Sequence, residues 1–135
     1  MSCTSPEVPP TPIVIKRGQS STIPLTVDPL GALIDITAAK LWFSVKNRFE
    51  DVAAVIFKRN LLAGGVDEQI KAADPQTGAG LGKATVYLVP ADTLNLSSDE
   101  SYWCDAWVEL STGERYQIMP NTPFKIDPAV TTQFN

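Results

Sequence analysis

The chain contains no histidine. That single absence removes Ser-His-Asp and Cys-His nucleophile activation, imidazole general-base chemistry and the commonest transition-metal ligand. Cysteine is nearly as scarce. The two present, Cys3 and Cys104, are too few for a disulfide framework, so reduced thiols are the default. Basic charge is short as well, with 11 Lys and Arg against 15 Asp and Glu and a formal net charge of −4. A polyphosphate backbone needs a basic stripe, which argues against nucleic acid as a partner. No apolar run approaches the roughly 20 residues that a membrane-crossing helix needs. The opening "MSCTSPEVPP" also lacks the basic-then-apolar order of a secretory leader, so the expectation is no membrane and no export by the common route. The acids are scattered through turns and charged strand faces, with no local pattern that sets two carboxylates across a cleft. Asp67, Glu68 and Asp74 are the acids to consider for calcium, but they lack the fixed spacing of an EF-hand and read as solvated turn residues. No catalytic, metal or cofactor motif is left, and the expectation is a protein that is not an enzyme and uses no cofactor.

What is present is β-structure. A length of 135 residues fits one domain that buries its own core. The first twelve residues hold four of the eleven prolines and almost no core-forming side chain, which predicts an extended arm over 1–12 with polyproline character. After it, Ile13 to Ile15 and Thr22 to Val27 are β-branched runs split by the turn cluster Arg17-Gly18-Gln19-Ser20. Pro24 in the second run marks an edge strand or a bulge. "DPLGALIDIT" is a loop, and "AAKLWFSVKN" alternates Leu41, Phe43 and Val45 against Lys40, Trp42, Ser44 and Lys46. "AAVIFKR" and "GGVDEQIKA" follow as shorter strands, then "ADPQTGAGLG" as a Gly-rich loop with no packing role, then "KATVYLV". "PADTLNLSSDE" allows one helical turn with proline at its start. "SYWCDAWVEL", the hairpin turn "STGE", "RYQIM" and "PFKID" complete the set. Seven to nine short strands with no amphipathic helix predict an all-β, immunoglobulin-like antiparallel β-sandwich over 13–131, with a short tail at 132–135.

The strand "SYWCDAWVEL" has an unusual second face. Tyr102, Cys104, Ala106 and Val108 share the apolar side, where Cys104 acts as a small hydrophobe. Trp103, Asp105, Trp107 and Glu109 share the side that should be wet. Trp42 stands in the same position on its own strand, so all three tryptophans lie opposite the aliphatic registers. If the two strands are neighbours in one sheet, the indoles gather on one outer face. Such a cluster reads as a contact site for a partner. Two alternatives stay open: the arm or the long loop of the 60s to 80s folds over the face, or the register is off by one residue.

The C-terminal half, "GKATVYLVPADTLNLSSDESYWCDAWVELSTGERYQIMPNTPFKIDPAVT", has a recognisable order. A strand ends in Leu-x-Pro-Ala-Asp-Thr, a short turn reaches Leu, and a Tyr-led strand, a Gly hairpin and a final strand closing on Pro-x-Val-Thr follow. With "IVIKRGQSSTIPLTV", "LGALIDITAAKLWFSVK" and "AVIFKR" ahead of it, this resembles small immunoglobulin-like proteins of tailed bacteriophages, and among them the N-terminal domain of baseplate upper proteins. The resemblance spans roughly 13–131 and lies in turns and registers rather than reactive groups. Unlike the baseplate proteins, this chain shows no coiled coil or long C-terminal extension before Asn135. What the resemblance implies is a structural or adaptor role in a virion assembled in the bacterial host cytoplasm. Its partners would be other virion proteins, in a symmetric assembly of several copies at baseplate, tail, neck or capsid.

Read without the family, Asp92 and Thr93 suit capping of the helical turn, Tyr102 suits a buried ring with a wet hydroxyl, and Gly113 suits positive φ in the hairpin. The candidate partner-binding residues are Trp42, Trp103, Trp107, Asp105 and Glu109 on the sheet face, with Val8, Pro9 and Pro10 in the arm. The arm can add a strand to a neighbour only in part, because Pro9, Pro10 and Pro12 lack donors. The alternative function is a carbohydrate-binding module or a capsid decoration protein contacting cell-surface glycans, in which the three indoles stack on sugar rings while Asp105, Glu109 and Lys40 bond their hydroxyls.

Overall fold

A computed structural model describes residues 11–48, 53–60 and 69–129. Eight strands are seen among them: β1 (Ile13–Lys16), β2 (Ser21–Thr26), β3 (Lys40–Lys46), β4 (Ile56–Arg59), β5 (Ile70–Ala72), β6 (Lys83–Leu88), β7 (Tyr102–Glu109) and β8 (Arg115–Asp127). A single helical turn, α1 (Pro90–Thr93), joins β6 to β7. The strands form two sheets, one in the order β1-β8-β7-β3-β4 and one in the order β2-β6-β5. This is the all-β sandwich that the alternation predicts. One pair departs from an all-antiparallel arrangement, since β1 runs parallel to β8 with Ile13 opposite Phe124. "RYQIM" and "PFKID" also prove to be one strand. β8 absorbs Pro120 through register shifts against β7 between Cys104 and Trp107, where two extra β8 residues take up the irregularity, while Pro123 stands in register opposite Trp103.

The core is the set of inward registers. Leu41, Phe43 and Val45 of β3 face Ala106 and Val108 of β7 and Phe124 of β8, and the second sheet contributes Ile23, Leu25, Val86 and Leu88, all buried. Removing this much apolar surface from water is what holds the two sheets together. Pro24 sits on the edge strand β2. Val27 N–H donates to Gly82 O at 2.7 Å, so odd residues face β6 and Pro24 faces outward, where its missing donor costs no ladder bond.

The crossover is fastened by polar side chains. Asp92 accepts from Val89 N–H at 2.7 Å and so caps α1 from its third position. Thr93 does something other than capping. Its fully buried hydroxyl accepts from Gly18 N–H at 2.8 Å, tying the β1–β2 turn to the crossover. The buried Tyr102 ring accepts at its hydroxyl from Ser97 N–H at 3.1 Å, which pins the loop entering β7. Gly113 takes φ +91 in the β7–β8 hairpin, as a tight turn of that kind requires.

The stretch "ADPQTGAGLG" is a correction, because it does pack. Buried Gln76 accepts from Ile36 N–H and Gly82 N–H at 3.2 and 3.0 Å, and donates to Ala73 O and Lys83 O at 2.7 and 3.3 Å. One amide thus satisfies four backbone groups where the loop meets the edge of the second sheet.

Candidate functional site

β3 and β7 are neighbours, paired antiparallel at the centre of the five-stranded sheet. Trp42 stands directly opposite Trp107, Lys46 opposite Trp103, Ser44 opposite Asp105 and Lys40 opposite Glu109. The predicted register therefore holds, and the three indoles share the outer face. Trp107 is 40 % exposed and Trp42 and Trp103 are half-buried. The flanking strands extend the face. β4 places Phe57 opposite Ser44 and Arg59 opposite Trp42, and β8 places Gln117 opposite Trp107 and Arg115 opposite Glu109. Side chains directly opposite one another on such a face lie about 5 Å apart at Cβ, close enough to form one continuous surface.

Two open grooves lie on this face, and Trp107 and Ser44 belong to both. The first, about 350 Å³, is lined by Ser44, Lys46, Trp103, Cys104, Asp105, Trp107 and Asn121, and its lining mixes polar groups with the two indoles. The second, about 420 Å³, is lined by Trp42, Ser44, Phe57, Trp107 and Arg115 and is largely apolar. The Trp107 indole is held as the wall between them. Its Nε1–H donates to Asp105 Oδ2 at 2.8 Å, and Gln117 Nε2 donates to the same oxygen at 3.2 Å. Gln117 also donates to Asn121 Oδ1 at 3.2 Å, so β8 braces the carboxylate and the amide together. A ring fixed in this way loses less rotamer freedom on binding than a free one would.

Glu109 occupies the hairpin end of the face and lines neither groove. Its Oε1 accepts from Arg115 Nε at 2.7 Å and its Oε2 lies 3.7 Å from Lys40 Nζ. The hydrogen bond from Arg115 is the main reason its carboxyl is held below the usual carboxylate range. Cys104 lies beneath the first groove. Burial first, and the Asp105 charge second, push its thiol up to about 12, so it is a packing group and not a nucleophile. Val8, Pro9 and Pro10 of the predicted arm lie outside the described residues, as do Asp67 and Glu68, while Asp74 is an exposed loop residue. Among the described residues no group of three or more Cys, Asp or Glu is placed to hold a metal ion, and no helix is long and apolar enough to cross a membrane.

Sequence reasoning missed Phe57, Arg115, Gln117 and Asn121 as parts of this face. Phe57 is 51 % exposed because β4 is inverted in polarity, with Ile56 and Lys58 pointing inward and Phe57 and Arg59 outward. The inward lysine is satisfied by Asp92 at 2.7 Å. Comparison with protein-family models gives no match, and comparison with curated proteins gives none. Among solved structures, one similar chain is AggA, the major subunit of aggregative adherence fimbriae type I from Escherichia coli. It is 15% identical over 89% of this chain and 91% of that one, with a TM-score of 0.29, and nothing further rests on it.

Proposed function

We propose that the chain is a non-enzymatic structural or adaptor protein of a tailed-bacteriophage particle, present in several copies and joined to other virion proteins through the outer face of its five-stranded sheet. The placement in a virion rests on the order of turns and strands between 13 and 131. The observation that supports the contact surface is the apolar groove walled by Trp42, Phe57 and Trp107, on the two central strands and the adjoining edge. Aromatic residues in a groove on a rigid sheet make good anchoring points, because they bury large apolar area at little entropic cost. The groove fits an apolar side chain presented by the partner protein, with the exposed Arg115, whose Nε is held by Glu109, on its lining and Arg59 opposite Trp42 on the adjoining strand as basic groups facing partner carboxylates.

The test is incorporation. Particles carrying Trp42→Ala with Phe57→Ala should lose this protein from the purified virion while the isolated variant keeps its melting transition. Normal stoichiometry in particles built from the double variant would sink the proposal.

A further inference from the structure

The first groove has a different chemistry from the second, and we infer that it is a saccharide-binding site, with Trp103 and Trp107 as stacking walls and Asp105 and Asn121 as hydrogen-bonding groups for a neutral oligosaccharide. This goes beyond the protein-contact reading and, apart from the shared Trp107 and Ser44, rests on other residues. Trp103 and Trp107 are four residues apart on one strand face, so their backbone positions are separated by roughly 13 Å. That is wider than one pyranose ring and suits a short run of them. Between the two lies Asp105. Both of its described hydrogen bonds, from Trp107 Nε1 and Gln117 Nε2, go to Oδ2, so Oδ1 is left to accept from a ligand. Asn121 accepts at Oδ1 from Gln117, which fixes its amide orientation and leaves its NH₂ as donor. Ser44 and Lys46 add a hydroxyl and an ammonium on the opposite wall.

The combination selects the ligand class. A sugar offers apolar C–H faces to indoles and a rim of hydroxyls that both donate and accept, and this groove has indoles, a carboxylate, an amide and a cation within one lining. An anionic ligand would have to sit against Asp105, and a cationic one against Lys46. The opposed charges favour a neutral molecule. A protein side chain would need either one sign of charge or a dry pocket, and the second groove is the drier of the two. The volume of about 350 Å³ falls at the lower end of the range for small-ligand sites, and the open shape admits a chain that continues past both ends.

The experiment is a titration of the full chain with cellohexaose, maltohexaose and a linear galactan oligosaccharide, followed by tryptophan fluorescence and by calorimetry. Saturable binding of at least one probe is expected. Asp105→Asn should weaken it at least tenfold and Trp103→Ala should abolish it, with the melting temperature of Asp105→Asn unchanged as proof of folding. Phe57→Ala should leave it intact, which separates this site from the protein-contact groove. Asn121→Ala, on the neighbouring strand, should weaken binding too and serves if Trp103→Ala fails to fold. The inference is overturned if none of the three probes binds at millimolar concentration, or if binding is indifferent to Asp105→Asn and Asn121→Ala.

Discussion

The ion pair between Lys58 and Asp92 should be worth more when broken from one side than from the other. Lys58 lies on β4 of the larger sheet and Asp92 on the crossover from the smaller one, with Nζ and Oδ2 2.7 Å apart and side chains 6% and 19% exposed. Among the described residues Asp92 is the sole partner of the ammonium, whereas Asp92 also accepts from Val89 N–H. Lys58→Met keeps most of the aliphatic stem and leaves a carboxylate that still has one backbone bond and some solvent, so its cost should be about 1–2 kcal/mol. Asp92→Ala leaves a buried cation without a counter-charge and an uncapped N–H, so its cost should be about 3–5 kcal/mol. The double variant should be no worse than about 3 kcal/mol, well short of the sum, because the stranded charge is gone. Urea unfolding at neutral pH measures this. With a slope of about 2 kcal/mol per molar urea, Asp92→Ala should unfold at a midpoint roughly 2 M lower and Lys58→Met within about 1 M of the parent. Added salt should change the difference little, since a buried pair is poorly screened. Equal and small losses for the two single variants would refute the reasoning and mean that the pair does not hold the sheets together.

The other expectations are shorter. Gln76→Ala should destabilise by about 3 kcal/mol, read as a lower thermal midpoint, because the Ile36 and Gly82 N–H groups and the Ala73 carbonyl lose this partner, while Lys83 O keeps Ala73 N–H. Gly82→Ala should be strongly destabilising by the same measurement, since φ is +68 and a Cβ there would meet Val27 O at 2.9 Å. The Cys104 thiol should stay unmodified by thiol reagents at pH 8 until denaturant is added, because burial holds it protonated; rapid native-state labelling would contradict its placement. Glu109 has a folded pKa lowered by Arg115, so its stabilising contribution is present above its unfolded pKa of about 4.3 and is lost as pH falls through the lower folded value. Arg115→Ala should therefore reduce the fall in stability seen below about pH 4, and an unchanged acid limb would refute the assignment.

The sandwich was legible because its strands alternate cleanly. β3 and β7 each carry a strict inward apolar register, and a period of two leaves little freedom in which side faces the core. The same property made the indole face legible, since tryptophan on the wet register of both strands becomes one patch as soon as the strands pair. β4 was not legible in this way. A reader assigning faces by polarity would turn Lys58 outward and Phe57 inward, and the reverse is true because Asp92, 34 positions away in sequence, supplies a buried counter-charge. Gln76 was hidden for a related reason. A glutamine in a Gly-rich loop carries no periodicity, and its value comes from four backbone groups that only the fold brings around it. The parallel pairing of β1 with β8 leaves no mark in local pattern either, since a four-residue strand with three apolar residues serves both directions equally.

The position of Trp107 decides how the two grooves relate. It stands on a central strand, opposite Trp42, with its indole nitrogen fixed on Asp105 and that carboxylate braced by Gln117 from the next strand. Both grooves share this wall, and moving it breaks the Trp107–Asp105 bond. Trp107→Phe should therefore damage both binding activities at once, by removing the donor while keeping an aromatic ring, whereas Phe57→Ala and Asp105→Asn should each damage one. Parallel measurement of virion incorporation and of oligosaccharide titration across these three variants gives the contrast. If Trp107→Phe impairs only one activity, the ring is not a shared wall and the two grooves act independently. If it impairs both while Phe57→Ala and Asp105→Asn separate them, one rigid indole couples two recognition surfaces on a single sheet.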